Sequence, residues 1–132
     1  MNKNKGFSLI ELMVVLAIVA LLLSYALPNY RQYVIKSKRA VAQNKVLEIA
    51  GMYEKFYANT NSYPTGLSGS GATLSLPNSY LVDDEYTFTA SSTATTWTIT
   101  ATATHGQADD TECPTITFSN LGSKGPSAAC WE

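Results

Sequence analysis

Hydrophobic positions are spread very unevenly along this chain. From Phe7 to Leu27 it reads FSLIELMVVLAIVALLLSYAL, in which 18 of 21 residues are apolar and Ser8, Glu11 and Ser24 are the exceptions. As a helix this run would be ~32 Å long, close to the ~30 Å hydrocarbon core of a bilayer. A secretory signal peptide has a shorter apolar stretch followed by a small-residue cleavage site. Here the run leads into Pro28-Asn29-Tyr30-Arg31, so a membrane anchor is the expectation. Pro28 predicts an interruption, because it lacks an N–H and its ring clashes with the preceding turn. Beyond it, Val46, Ile49, Ala50, Tyr53, Phe56 and Tyr57 recur at the spacing of one helix face. Asn59, Thr60 and Asn61 read as the helix end, and residues 62–79 as a Gly- and Ser-rich loop.

The period then changes from helical to alternating. Tyr86–Ala90, Trp97–Thr104 and Thr115–Phe118 alternate apolar or aromatic residues with threonine, which predicts half-buried strands. Ser91–Thr96 is the expected hairpin connection. The apolar faces of these strands need a cover, and the apolar face of the helix can supply it. The predicted fold class is α+β. A long N-terminal α-helix, half transmembrane and half amphipathic, packs on a three- or four-stranded antiparallel sheet.

Composition narrows the function. The 132 residues are 45% hydrophobic and 14% charged, with a formal net charge of −1. Such a chain is too apolar to be disordered. It also lacks the basic excess of an ordinary nucleic-acid binder. Two cysteines and one histidine cannot build a four-ligand zinc site from Cys and His. One residue is out of place: Glu11 lies four residues into the apolar run, where a carboxylate costs ~2–3 kcal/mol or more unless paired. No basic side chain lies within residues 7–27, so the expected partner is a new chain end. Cleavage after Gly6 would give Phe7 an α-amino group. That ammonium could pair with Glu11 within one chain or between staggered neighbours. Such a pair would fix the axial register of packed helices, since any other offset leaves a charge unpaired.

The segment Gly6-Phe7-Ser8-Leu9-Ile10-Glu11-Leu12, after a short Lys/Asn leader, resembles the class III signal of type IV pilins and pseudopilins. That resemblance implies a leader over 1–6 and cleavage between Gly6 and Phe7 by a prepilin peptidase. It also implies N-methylation of Phe7 and a register role for Glu11. It further implies a transmembrane or fibre-core helix over 7–28 with a kink at Pro28, a stem helix over 29–60, and a head over 61–132. In pilins the segment between stem and sheet, here 62–79, is a variable surface loop, and a C-terminal disulfide encloses the so-called D-region, with Cys113 and Cys130 as the corresponding pair. Their bridge would close a loop of about 18 residues, worth ~3 kcal/mol. The ending Gly122-Ser123-Lys124-Gly125-Pro126 with Cys130-Trp131 is similar to PilE-type minor pilins, a subgroup that includes a DNA-uptake receptor. The implied localisation is the bacterial inner membrane before assembly and an extracellular pilus afterwards. Implied partners are other pilins in a helical fibre, the peptidase, the inner membrane and the assembly machinery. No cofactor and no metal are expected.

Candidate chemistry elsewhere is sparse. His105 lies in a loop without the partners of a catalytic triad. Asp83-Asp84-Glu85 and Asp109-Asp110 with Glu112 could be weighed as calcium ligands, but neither has the EF-hand spacing. They read better as solvated turn carboxylates, and no catalytic residue is expected. Residues 31–55 carry Arg31, Lys36, Lys38, Arg39, Lys45 and Lys55 against Glu48 and Glu54, a charge of +4. Residues 56–132 carry Lys124 against seven acidic side chains, a charge of −6. The basic stem reads as a solvated face that meets the acidic heads of neighbouring subunits. An acidic head disfavours DNA as a partner. The expected role is a structural pilus subunit. The alternatives are a type II secretion pseudopilin, or a minor pilin acting in DNA uptake or adhesion.

Overall fold

The computed structural model describes residues 6–132, so most of the expected leader lies outside the described residues. Helix α1 runs Leu9–Thr60 as a single element. Its helical assignment passes through Pro28 without a break. Proline removes one main-chain donor, the partner of Ser24 O, and two side chains nearby bond other carbonyls of the same stretch. Ser24 Oγ donates to Leu21 O at 2.7 Å and Asn29 Nδ2 to Tyr25 O at 3.3 Å. The chain divides into two compact units, Met1–Val34 and Ile35–Glu132.

In the first unit every described residue from Gly6 to Tyr33 is exposed. The helix there has a window of mean hydropathy 2.6 with none of it buried. A helix that is apolar all round needs lipid or other helices to cover it.

The second unit is a head built on the later part of α1. Asn61 (φ 58°) ends the helix in the left-handed region, as an Asn after a C-terminus commonly does. Its sheet is a four-stranded antiparallel meander in the order β1 (Tyr86–Ser92), β2 (Trp97–Ala103), β3 (Thr115–Ser119) and β4 (Lys124–Gly125). Alternation does what the sequence predicts. Tyr86, Phe88, Trp97, Ile99, Ala101 and Ile116 face inward and join Ala42, Val46, Ile49, Ala50 and Tyr53 of α1 in one core. The opposite face carries hydroxyls in register, with Thr87 beside Thr102 and Thr89 beside Thr100 on β1 and β2. On β2 and β3, Thr100 pairs with Thr117 and Thr102 with Thr115.

Three features go beyond what the pattern specifies. The segment 62–79 is not merely a surface loop, because Tyr63, Pro64 and Leu67 are buried and Thr65 N bonds Ala72 O at 2.7 Å. A short helix α2 (Asn78–Leu81) then sends Leu81 into the core. The sheet has the fourth strand that the expectation allows, but the sequence does not place β4, since two residues leave no periodicity. It is permitted by Gly122 (φ 77°), which turns the chain, and by Gly125, where any Cβ would collide with Thr117 Oγ1.

Candidate functional site

The expected processing site occupies the start of the first unit. Gly6, Phe7 and Ser8 precede the helix, and Glu11 falls in its first turn. Ser8 Oγ accepts from Glu11 N at 3.3 Å, so Ser8 acts as the N-cap and Glu11 is the third helical residue. Ser8-Leu9-Ile10-Glu11 is the sequence signature of a capping box, a signal that could have been read directly. Glu11 does have a favourable partner nearby, the positive end of its own helix. That is worth only ~0.3–1 kcal/mol, less than the ~2–3 kcal/mol or more for a carboxylate in a membrane. Wherever lipid or other helices enclose the helix, the cap alone does not offset that cost.

The second cluster lies in the head, around the disulfide loop. Cys113 and Cys130 are joined, with Cα atoms 5.7 Å apart. Three polar groups on successive turns of α1 hold this region. Arg39 makes a two-pronged pair with Asp110, Nε to Oδ2 at 2.9 Å and Nη2 to Oδ1 at 2.7 Å. Gln43 Nε2 donates to Cys130 O at 2.6 Å, and Gln107 Nε2 donates to Ile35 O at 3.0 Å. Residues 35, 39 and 43 lie on one helix face because they are four apart. Asp110 Oδ1 also accepts from Cys113 N at 3.1 Å. Gln107 Nε2 reaches Tyr86 OH at 3.0 Å. Burial pushes the Tyr86 phenol up, although the Gln107 bond opposes the shift.

This arrangement revises the reading of the charges. Arg39 and Asp110 are buried, not solvated, and their ion pair is internal. Lys38 pairs with Glu85 at 2.6 Å and Lys45 with Asp83 at 3.3 Å. Lys45 Nζ also sits 4.6 Å and 4.5 Å from the ring centroids of Tyr80 and Phe88. Asp83 Oδ1 caps the turn before β1 by accepting from Glu85 N and Tyr86 N at 3.0 and 2.6 Å. Among the described residues, no group of three or more His, Cys, Asp or Glu is placed to hold a metal ion. His105 is exposed and begins a 3-10 turn over His105–Asp109.

A long N-terminal helix whose later part lies against an antiparallel meander, with a C-terminal disulfide loop, is the fold of a type IV pilin. A solved type IV pilin from Shewanella oneidensis has the same fold, with a TM-score of 0.57 at 24% identity, covering 74% of this chain and 98% of that one. Residues 1–27 match the prokaryotic N-terminal methylation motif. Residues 28–117 match the family described as type IV minor pilin ComP, DNA uptake sequence receptor, and the chain belongs to that family. Fimbrial protein EcpC of Eikenella corrodens is 33% identical over 78 residues, 59% of this chain and 51% of that protein. Fimbrial protein Q of Moraxella bovis is 37% identical over 84 residues, 55% of this chain and 54% of that protein. Core protein G of the Klebsiella pneumoniae type II secretion system is 30% identical over 78 residues, 59% of this chain and 56% of that protein. The chain spans about half the length of these curated relatives. The methylation motif, the apolar helix and the fimbrial relatives fit a membrane-anchored precursor that later joins an extracellular pilus.

Proposed function

We propose that the chain is a structural, non-catalytic subunit of a type IV pilus. It is made as a prepilin with a leader over 1–6, cut after Gly6 by a prepilin peptidase and N-methylated at Phe7. Residues 7–28 anchor it in the inner membrane and then enter the fibre core, residues 29–60 form the stem, and residues 61–132 form the head. Assembly into a helical fibre with other pilins then covers the bare apolar helix. One observation carries this reading. Glu11 is the sole charged side chain of the apolar run 7–27, which begins right after Gly6 and is exposed throughout. The capping position leaves it short of full compensation by ~1–2 kcal/mol or more, and the freed amine of Phe7 supplies a cation in reach of that turn. Sequencing the N-terminus of protein from sheared pili tests the cut. The mature chain begins at methylated Phe7, and one still beginning at Met1 sinks the proposal. Replacing Glu11 by Val leaves the protein in the membrane but depletes it from fibres. Normal fibre incorporation would contradict the pairing.

A second reading, capture of DNA by the head, is favoured by the ComP match over residues 28–117. Internal pairing of Asp83, Glu85 and Asp110 with stem cations also removes part of the repulsion that the acidic count implies. Phosphate contacts would make binding salt-dependent. A gel shift with the full chain in detergent tests it, and no retardation even at low salt excludes it.

A further inference from the structure

Where α1 ends, four aromatic rings gather around one carboxylate. Tyr57 and Tyr63 have ring centroids 4.6 Å apart, tilted by 32°, at the near limit for packed aromatic pairs. Tyr53 and Trp97 lie 6.4 and 6.3 Å from Tyr63. Glu54 Oε1 accepts from Tyr63 OH at 2.9 Å and from Trp97 Nε1 at 3.1 Å. Glu54 itself is exposed, so water could satisfy it without either bond. Tyr57 is 38% exposed and Tyr63 only 9%. One ring is therefore open to a reagent in solution, and the other is sheltered beneath it with a base at its hydroxyl.

A phenol gives up an electron far more easily when its proton can leave in the same event, and a positioned carboxylate provides that exit. Two oxidised rings held in contact need no diffusive encounter to couple. We propose that Tyr57 and Tyr63 form an oxidative modification site, at which a one-electron oxidant of the peroxidase class joins the two rings as a dityrosine, with Glu54 accepting the Tyr63 proton. The oxidant takes one electron from each ring. The Tyr63 phenolic proton passes to Glu54 and the Tyr57 proton to water. A carbon–carbon bond forms between ring positions next to the hydroxyls, and the two displaced ring hydrogens return to the oxygens. The product has lost two hydrogens in total, and two electrons reside on the oxidant. Burial, with the Glu54 bond second, pushes the Tyr63 phenol up, so it carries its proton at neutral pH. The link would clamp the last turn of α1 to the chain beyond Asn61, where the backbone reverses.

The site does not depend on fibre assembly. The test uses the full chain in detergent, treated with peroxidase and hydrogen peroxide, and reads dityrosine fluorescence and peptide maps. Outside the detergent-covered segment 7–28, exposure alone would direct oxidation to Tyr30 and Tyr33, which are far more open. The expected result is a cross-link between residues 57 and 63 within one molecule, lost in Tyr57→Phe and in Tyr63→Phe. Glu54→Gln keeps an acceptor oxygen but cannot take the proton, so the link forms at least about 10-fold more slowly. Cross-links confined to Tyr25, Tyr30 and Tyr33, or found only between molecules, would overturn the site. An unchanged rate in Glu54→Gln would overturn the role given to the carboxylate.

Discussion

Replacing Asp110 by Ala isolates the polar half of the attachment between α1 and the disulfide loop. The Arg39 and Asp110 side chains are 6% and 2% exposed. The carboxylate accepts three hydrogen bonds, two from Arg39 and one from Cys113 N. Removing it leaves a guanidinium enclosed without a counter-charge, which costs ~3–5 kcal/mol. A head of this size commonly has ~5–15 kcal/mol in total, so the loss is a large share. Each kcal/mol moves the melting midpoint of such a domain by roughly 4–8 °C, so a drop of about 12 °C or more is expected. Arg39→Met in the same background separates the pair from the stranded charge. The double variant buries no uncompensated charge, so its loss is smaller than the sum of the two single losses. Urea unfolding followed by circular dichroism, with all four proteins at neutral pH, gives the cycle. If Asp110→Ala lies within about 0.5 kcal/mol of the parent, as ordinary surface changes do, the pair is solvated and the reasoning fails. Strict additivity would refute it equally.

The Cys113→Ser, Cys130→Ser variant loses ~3 kcal/mol by the loop-closure estimate, and the parent under reductant shows the same urea midpoint as that variant. Ile49→Ala, at 0% exposure, costs ~2–5 kcal/mol. Val41→Ala on the same helix, at 65% exposure, stays within about 0.5 kcal/mol, so equal effects would mean that the assigned helix face is wrong. Burial raises the phenols of Tyr53, Tyr63, Tyr80 and Tyr86 from 10, with Tyr80 pushed up to about 12. Above pH 10 the unfolded chain therefore holds fewer protons than the folded one. Stability is full below pH 10 and falls as pH rises through about 12, and a melting temperature unchanged up to pH 12 would contradict the burial of these rings.

Hydrophobic periodicity made the architecture legible because it is a local property. The helical spacing of Val46, Ile49, Ala50 and Tyr53 and the alternation of Trp97 to Ala103 each name the buried face before any partner is known. What escaped has no local period. Strand β4 is two residues long and is defined by its pairing with Thr117 and Phe118. Tyr63 and Leu67 read as loop residues because their burial depends on distant partners, Tyr53 of α1 and Trp97 of β2 in the case of Tyr63. The Arg39–Asp110 pair spans 71 positions, and nothing near either residue marks it. Glu11 is the opposite case. Its capping partner Ser8 stands three residues away, so the box is legible in the local sequence.

The charge pattern also acquires a different meaning. A stem of +4 and a head of −6 suggest attraction between neighbouring subunits, provided the charges are free. Lys38, Arg39 and Lys45 instead meet Glu85, Asp110 and Asp83 of their own head. Setting those pairs aside leaves Arg31, Lys36 and Lys55 against Glu48 and Glu54, a stem residual of +1. The head retains Lys124 against Asp84, Asp109, Glu112 and Glu132, a residual of −3. Equal and opposite cancellation has removed three charges from each side. Most of the apparent attraction between copies is therefore attraction within a copy, fastening the sheet and disulfide loop to α1. The uneven remainder cannot set subunit register by itself, since one net positive charge on a solvated helix is screened within ~8 Å at physiological salt. Under the proposed assembly, register falls instead to the apolar segment, where Glu11 meets no basic side chain within residues 7–27.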